Sequence, residues 1–377
     1  MATFAKTTFN STIYSATRPS YPQRLFEYIY AYHNKKGSRW EHAVDVGCGT
    51  GQATKPLADR FSRVTAVDPS KSMLISAREY LGSSKPSVAF SFVQGSAEDL
   101  AAGIPQSQSV DLAIAAQAAH WFDWSKVWPE LSRTLRPNGT AAFWIYSEFR
   151  LPEYPTLTPL ITAYAQGTDP VTSVGSYFQR PGRTILENLL RDVPHPKSIV
   201  QDQFVDFRRV YFTGPHFDPS ATATNGSSPQ LQDNWEHHPT LLSQRMTWLD
   251  LLGYFRSWSA LHTYHEKYPE DCLRTDSRFP EDDELLNNLD DHAGGLIVTE
   301  DTKTGHHTQE STLTKAELKE LIDQYQPNRG DIAVRFWKDL REGVKEVARE
   351  DKPGYGIGLL DYVDIEWPVV LLLARRA

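Results

Sequence analysis

The sequence predicts an α/β protein, with a mostly parallel sheet and helices on both faces. Three observations carry this. Short apolar strands alternate with helical stretches of about ten residues through the first 150 residues. A glycine-rich turn, Gly47-Cys48-Gly49-Thr50-Gly51, directly follows the first strand and opens a helix. Val110 to Ala116 is apolar on both sides, as suits a strand covered on two faces. Strand–helix–strand crossovers of this kind are right-handed.

The elements follow in order. Leu25, Tyr28, Ile29 and Tyr32 recur at helical spacing after the entry Arg18-Pro19-Ser20-Tyr21-Pro22 and predict a helix over Pro22 to Tyr32. Ala43 to Val46 is a strand that ends in Gly47, and Gln52 to Phe61 reads as a helix. Val64 to Val67 is a second strand, stopped by Asp68-Pro69-Ser70. Lys71 to Leu81 places Met73, Leu74, Ala77 and Leu81 on one side of a helix. Val88 to Val93 and Val110 to Ala116 are the third and fourth strands. Trp124 to Leu135 is a helix that ends before Arg136-Pro137-Asn138-Gly139, and Thr140 to Ile145 is the fifth strand.

Beyond residue 150 the pattern loosens. Helices are expected at Thr156 to Gln166, over one long stretch from Leu241 to Tyr264, and at Asp331 to Val347. Phe204 to Phe212 and Trp367 to Ala374 supply two further strands, which brings the sheet to seven. Thr213 to Asn234 and Asp291 to Ser311 lack a periodic apolar face and read as loop insertions. The expected organisation is a core over residues 1–150 with an N-terminal lid segment, and a mainly helical region over 151–361 with insertions near 213–234 and 291–311. A C-terminal strand within 362–377 completes the core sheet.

Composition excludes several classes. The net charge is −8 and no long basic run occurs, so nucleic-acid binding is disfavoured. The two cysteines, Cys48 and Cys272, form no C-x-x-C pair and no disulfide framework, and His262 with His265 lacks a third ligand, so no metal is expected. Met1 to Thr12 has no apolar signal core, and the longest apolar run, Val369 to Ala374, is far short of the ~20 residues that span a bilayer. These features point to a cytoplasmic protein with no membrane partner.

The glycine turn narrows the ligand. A phosphate loop requires G-x-x-x-x-G-K-[ST], which is absent, and the dinucleotide fingerprint G-x-G-x-x-G is replaced by G-x-G-x-G. Asp45 precedes the turn, where a carboxylate suits a cationic ammonium better than a pyrophosphate. Asp68 ends the second strand, at a position suited to ribose hydroxyls. Gly95-Ser96-Ala97-Glu98-Asp99-Leu100 and Gln117 to Trp121 follow the third and fourth strands. All four segments therefore fall at the carboxyl ends of parallel strands, where open α/β sheets bind ligands.

These residues resemble a class I S-adenosylmethionine-dependent methyltransferase, and within that class the branch of trans-aconitate methyltransferases and fungal small-molecule methyltransferases. The resemblance rests on Tyr14-x-x-x-Arg18-Pro19-x-Tyr21-Pro22, the glycine turn, Gly95-Ser96-Ala97-Glu98, Ala119-His120-Trp121-Phe122-Asp123 and Tyr254-Phe255-Arg256-Ser257-Trp258-Ser259. It covers about residues 10–150 and, more weakly, the chain end, and it implies a Rossmann-like fold with S-adenosyl-L-methionine as cofactor. By that resemblance Gly47, Cys48 and Gly49 line the methionine half with Asp45 near its ammonium, and Asp68 holds the ribose. Ala97 and Glu98 flank the adenine, Gln117 contacts the cofactor by its backbone, and Tyr14 and Arg18 approach from an N-terminal lid. Trp121, Tyr146, Arg150, Tyr254, Arg256 and Trp258 are candidates for gripping the acceptor.

The implied reaction is an in-line methyl transfer to an oxygen, sulfur or nitrogen of a small molecule, catalysed mainly by positioning. His120 is the one candidate base, for an alcohol or amine acceptor; it also reads as a structural histidine beside two aromatics. A tricarboxylate-like acceptor would pair with Arg150 or Arg256, whereas a lipophilic metabolite or thiol would use the aromatics. Two other readings stand beside this one: a cofactor-binding module that acts through a partner, and a nicotinamide-dependent oxidoreductase, which the early third glycine and Asp45 disfavour.

Overall fold

Alternating side chains of one strand show how the molecule is layered. In β5 (Leu135–Tyr146) Trp144 packs edge-on against Phe26 of α1 (Gln23–His33), with ring centres 5.7 Å apart. Its neighbour Phe143 points the other way, onto Trp128 of α4 (Trp124–Thr134) at 6.1 Å. Successive side chains of a strand face opposite sides, so the stretch from Ala141 to Tyr146 is apolar at every position and buried on both faces. The computed structural model describes residues 18–35, 37–82, 88–217, 234–282, 330–351 and 356–377.

The main sheet also contains β1 (His42–Val46), β2 (Arg63–Asp68), β3 (Ala89–Gln94), β4 (Val110–Ala116), β6 (Phe204–Phe212), β7 (Asn234–His238) and β10 (Val369–Arg376). Their order is β3-β2-β1-β4-β5-β10-β6-β7. The five strands β1 to β5 run parallel, and β10 inserts antiparallel to both β5 and β6. The α/β class and the mostly parallel sheet agree with the sequence, but the described sheet has eight strands rather than seven. The extra one, β7, pairs parallel to β6 at the edge. It follows a segment crowded with polar and turn residues, and an ion pair from Arg208 to Glu236 at 2.8 Å helps to hold it. The sheet thus takes β6 and β7 from the span expected to be mainly helical. The rest of the first expected insertion, 218–233, and the whole of the second lie outside the described residues.

Three local expectations are corrected. Gln52 to Phe61 is not one helix: only α2 (Thr54–Leu57) is regular. Pro56 supplies no N–H, and the following turns close with i+3 bonds from Ala58, Asp59 and Arg60. Leu241 to Tyr264 divides into β8 (Leu242–Thr247), α7 (Trp248–Arg256) and α8 (Ser259–Lys267). A capping box starts α7, with Thr247 and Asp250 bonding each other's backbone N–H. The chain end is two strands. β9 (Tyr362–Trp367) pairs antiparallel with β8 in a second small sheet, and Pro368 separates it from β10.

The remaining helices are α3 (Lys71–Gly82), α5 (Thr158–Gln166), α6 (Gly182–Glu187) and α9 (Ile332–Asp351). α9 is tied to α7 by Arg256 and Asp331, 2.5 Å apart and nearly sealed from solvent. Burial pushes the Asp331 carboxyl up, but the Arg256 charge and hydrogen bond, joined by His265 and the Val334 N–H, together hold it below its usual range. Among the described residues no helix is long and apolar enough to cross a membrane.

Candidate active site

The carboxyl ends of β1, β2 and β4 meet residues from beyond position 150 around a cavity of about 380 Å³. Its floor is the glycine turn. The N–H groups of Gly47 and Cys48 both donate to the Val67 carbonyl, at 2.7 and 3.0 Å, which pins the turn to β2. Gly47 has φ +73°, and a Cβ there would meet the Ala118 Cβ at 2.5 Å. Gly49 has φ +55°, but a Cβ on it would meet no protein atom within 4 Å: its open side belongs to the cavity.

Two carboxylates support the floor. Asp68 lines the cavity and accepts from Gly49 N–H at 2.9 Å and Ser70 N–H at 2.8 Å, one per oxygen. Burial raises its pKa, and these two backbone bonds oppose that rise. Each oxygen keeps lone-pair capacity for a further donor. Asp45 is wholly buried and does not line the cavity: its Oδ2 accepts from Thr54 at 2.6 Å, while Oδ1 has no partner among the described residues. Burial pushes its pKa up to about 7, the Thr54 bond opposes this, and the Asp68 charge adds to it. The Cys48 thiol, also on the floor, is raised well above its usual range by burial and by both carboxylates.

Ala97 and Glu98 form a second wall, where Glu98 accepts from Asp123 N–H at 3.0 Å. Gln117 follows β4 at φ +54°. Its side-chain amide donates to the Tyr146 carbonyl at 3.0 Å and accepts from Tyr146 N–H at 2.8 Å, so that side chain is committed to β5. Arg18 spans the opening and donates to the Tyr146 hydroxyl and to the Ser257 carbonyl, both at 3.2 Å. Its guanidinium lies over the Tyr254 ring, 5.2 Å from the centre.

The far wall carries His120, Trp121, Phe178, Gln179, Arg183 and Ser259. His120 is 6% exposed and makes no hydrogen bond among the described residues, with Nδ1 sealed and unpartnered. Burial, with the Arg183 charge adding to it, lowers its pKa to about 3, so the ring is neutral at neutral pH. Arg183 is ion-paired with the buried Glu148 and, at 2.9 Å, with Glu187, and its guanidinium sits 3.9 Å from the centre of the Phe178 ring.

Of the residues singled out in the sequence, Arg18, Gly47, Cys48, Gly49, Asp68, Ala97, Glu98, Gln117, His120, Trp121 and Tyr146 come together here. Tyr14 lies outside the described residues. Arg150, Tyr254, Arg256 and Trp258 do not line the cavity. Arg150 turns back to the carbonyls of Glu148 and Phe149, and Arg256 is spent on Asp331. The Tyr254 hydroxyl accepts from Trp367 at 3.1 Å, and Trp258 packs behind Phe178 at 5.7 Å. Phe178, Gln179, Arg183 and Ser259 were not foreseen. The only sequence signal near the first three is Pro181-Gly182, where Gly182 lets the Trp121 ring approach the backbone: a Cβ there would stand 2.6 Å from it.

Comparison with known proteins now bears on this cavity. The family described as "Methyltransferase domain" matches residues 44–143, which hold the glycine turn, Asp68, Glu98, Gln117 and His120. The probable S-adenosylmethionine-dependent methyltransferase CRG1 of Saccharomyces cerevisiae is 31% identical over 223 residues, covering 59% of this chain and 72% of that protein. Methyltransferase cfoB of Aspergillus candidus is 32% identical over 135 residues, covering 35% of this chain and 41% of its own length. A solved Anaeromyxobacter dehalogenans structure assigned to the methyltransferases is 20% identical, covers 95% of this chain and 97% of its own, and has a TM-score of 0.46. The family match spans the glycine turn that is pinned to β2, and the chain belongs to the S-adenosylmethionine-dependent methyltransferases.

Proposed function

We propose that the chain moves a methyl group to an oxygen, sulfur or nitrogen atom of a small-molecule acceptor, and that catalysis is mainly positional. The observation that carries this is the shared cavity. Glycine turn and far wall enclose one space of about 380 Å³, within the roughly 300–1,000 Å³ typical of small-ligand sites. When bound, S-adenosyl-L-methionine supplies a methyl group on a sulfonium, from which an aligned nucleophile takes it.

The chain's residues fit that group. Asp68 retains lone pairs for ribose hydroxyls, and Ala97 and Glu98 border the adenine. Gly49 leaves open the room a side chain would fill, with Gly47 and Cys48 beside it. Asp45 offers an unpartnered carboxylate oxygen beneath the turn for the ammonium charge, and Arg18 answers the cofactor carboxylate. The backbone of Gln117, held left-handed by its side-chain pairing with Tyr146, meets the cofactor at the end of β4. Trp121 and Tyr146 face the acceptor. Residues 1–150 hold the cofactor, the region beyond them joins Trp121 and Tyr146 in serving the acceptor, and the reaction runs in the cytoplasm.

A histidine already neutral and depressed to about 3 is a weak base, so alignment and exclusion of water are left as the main contributions. Replacement His120→Ala is therefore expected to lower turnover by less than about a hundredfold, the lower bound for losing a general base, with cofactor affinity intact. Turnover kinetics with the acceptor that copurifies, identified by mass spectrometry, checks this, and a larger loss would restore His120 as a base.

A further inference from the structure

The far wall is built from groups that offer an acceptor no available charge. Arg150 and Arg256, the cations expected to grip an acidic acceptor, lie outside the cavity. Arg183 reaches it, but its charge is already matched by Glu148 and Glu187 and its plane covers Phe178. Glu148 itself is buried behind Arg183 and does not line the space. A carboxylate placed here would lose its water without gaining an uncompensated cation. Arg18 also lines the cavity, where it bonds the Tyr146 hydroxyl and the Ser257 carbonyl, and it is assigned above to the cofactor carboxylate.

What the wall does offer is a neutral hydrogen-bonding point among rings. His120 is more than nine-tenths buried, lines the cavity and bonds to nothing described. With Nδ1 sealed, Nε2 is the nitrogen that a ligand can reach. A neutral imidazole has one N–H and one lone pair, and its tautomers exchange them between the two nitrogens. A hydroxyl both donates and accepts, so it satisfies Nε2 in either tautomer, whereas a carboxylate meets only one and an ammonium only the other. Trp121, its ring centre 4.9 Å from that of His120, and Phe178 supply apolar faces to the same cavity.

We infer that the acceptor is an uncharged, ring-sized apolar molecule bearing a hydroxyl group, and that His120 selects it by a hydrogen bond from the far wall. This rests on the methyl-transfer reading above and deepens it. The inference concerns recognition: His120 orients the hydroxyl, and burial, with the Arg183 charge adding to it, keeps the imidazole from competing as a cation.

The test is calorimetry on the full chain saturated with S-adenosylhomocysteine at neutral pH, with 2-naphthol, 2-naphthoate and naphthalene as probes. The expected result is that 2-naphthol binds at least about tenfold more tightly than either of the others, as one buried hydrogen bond supplies. His120→Ala should bring 2-naphthol to the naphthalene level, and His120→Asn, which keeps donor and acceptor atoms, should restore much of the preference. Unchanged S-adenosylhomocysteine affinity in both variants shows that the site is folded. The inference is overturned if 2-naphthoate binds as tightly as 2-naphthol, if His120→Ala leaves the preference in place, or if none of the three binds. If S-adenosylhomocysteine itself does not bind, the cofactor reading falls first and this inference goes with it.

Discussion

Gly47 and Gly49 share a residue type and a left-handed backbone for different reasons, and alanine separates them. At Gly47 a methyl group would strike the Ala118 Cβ at 2.5 Å, so Gly47→Ala should destabilise the fold by at least about 2 kcal/mol in urea titration. At Gly49 the methyl would enter open cavity, so Gly49→Ala should cost only the left-handed strain, about 1 kcal/mol, yet weaken S-adenosylhomocysteine binding at least about tenfold by calorimetry. Asp45 gives a pH signature. Its native pKa of about 7 stands above the ordinary carboxylate value, so between about pH 4 and 7 the folded chain holds a proton that the unfolded chain has released. Its contribution to stability is therefore full in acid and declines as pH rises through 7. The stability difference between the wild type and Asp45→Asn, measured by urea melts, should fall by a few kcal/mol across that window; a flat difference would contradict this. Sequence placed Asp45, Asp68 and Glu98 near one ligand because strand ends in a parallel sheet converge. It did not separate Asp68, which lines the cavity, from Asp45, which lies beneath it, because both are acids at strand ends and depth is set by neighbouring strands.

At the scale of elements, helices and strands with strong periodicity were legible: α1, α3, α4 and the buried strands β1, β2, β4 and β10 show their apolar faces in the residues themselves. The stretch from Leu241 to Tyr264 was not, because the two apolar residues of β8, Leu242 and Met246, stand four apart, a spacing that fits one face of a helix or of a strand, and only pairing with the distant β9 makes β8 a strand. The same distance hides the fate of Arg256. Its partner Asp331 is 75 positions away, and the two hold α7 to the start of α9. Arg256→Ala would leave a buried aspartate without its cation and should cost about 3–5 kcal/mol by chemical denaturation, with S-adenosylhomocysteine affinity in the folded protein unchanged. A loss of affinity without a loss of stability would instead return Arg256 to the binding site.

At the scale of the molecule, the sheet carries the glycine turn and segments beyond residue 150 complete the cavity above it. The parallel half, β1 to β5, brings the glycine turn, Asp68 and Gln117 to one edge through short-range patterns, and this half was readable. The rest of the far wall was not, because Phe178, Gln179, Arg183 and Ser259 reach the cavity from segments with little periodicity and only folding brings them to the wall that holds His120 and Trp121. The −8 net charge bears on partners rather than on the cavity, whose buried cations are matched locally.

The claim beneath all of this is that the cavity over the glycine turn seats S-adenosyl-L-methionine. Titration of S-adenosylhomocysteine into the wild type and into Asp68→Ala, followed by calorimetry, tests it most directly. Saturable one-site binding in the wild type, weakened at least about tenfold when the Asp68 carboxylate is removed, is the expected result. Absence of heat in the wild type, or equal affinity in the two proteins, would contradict it.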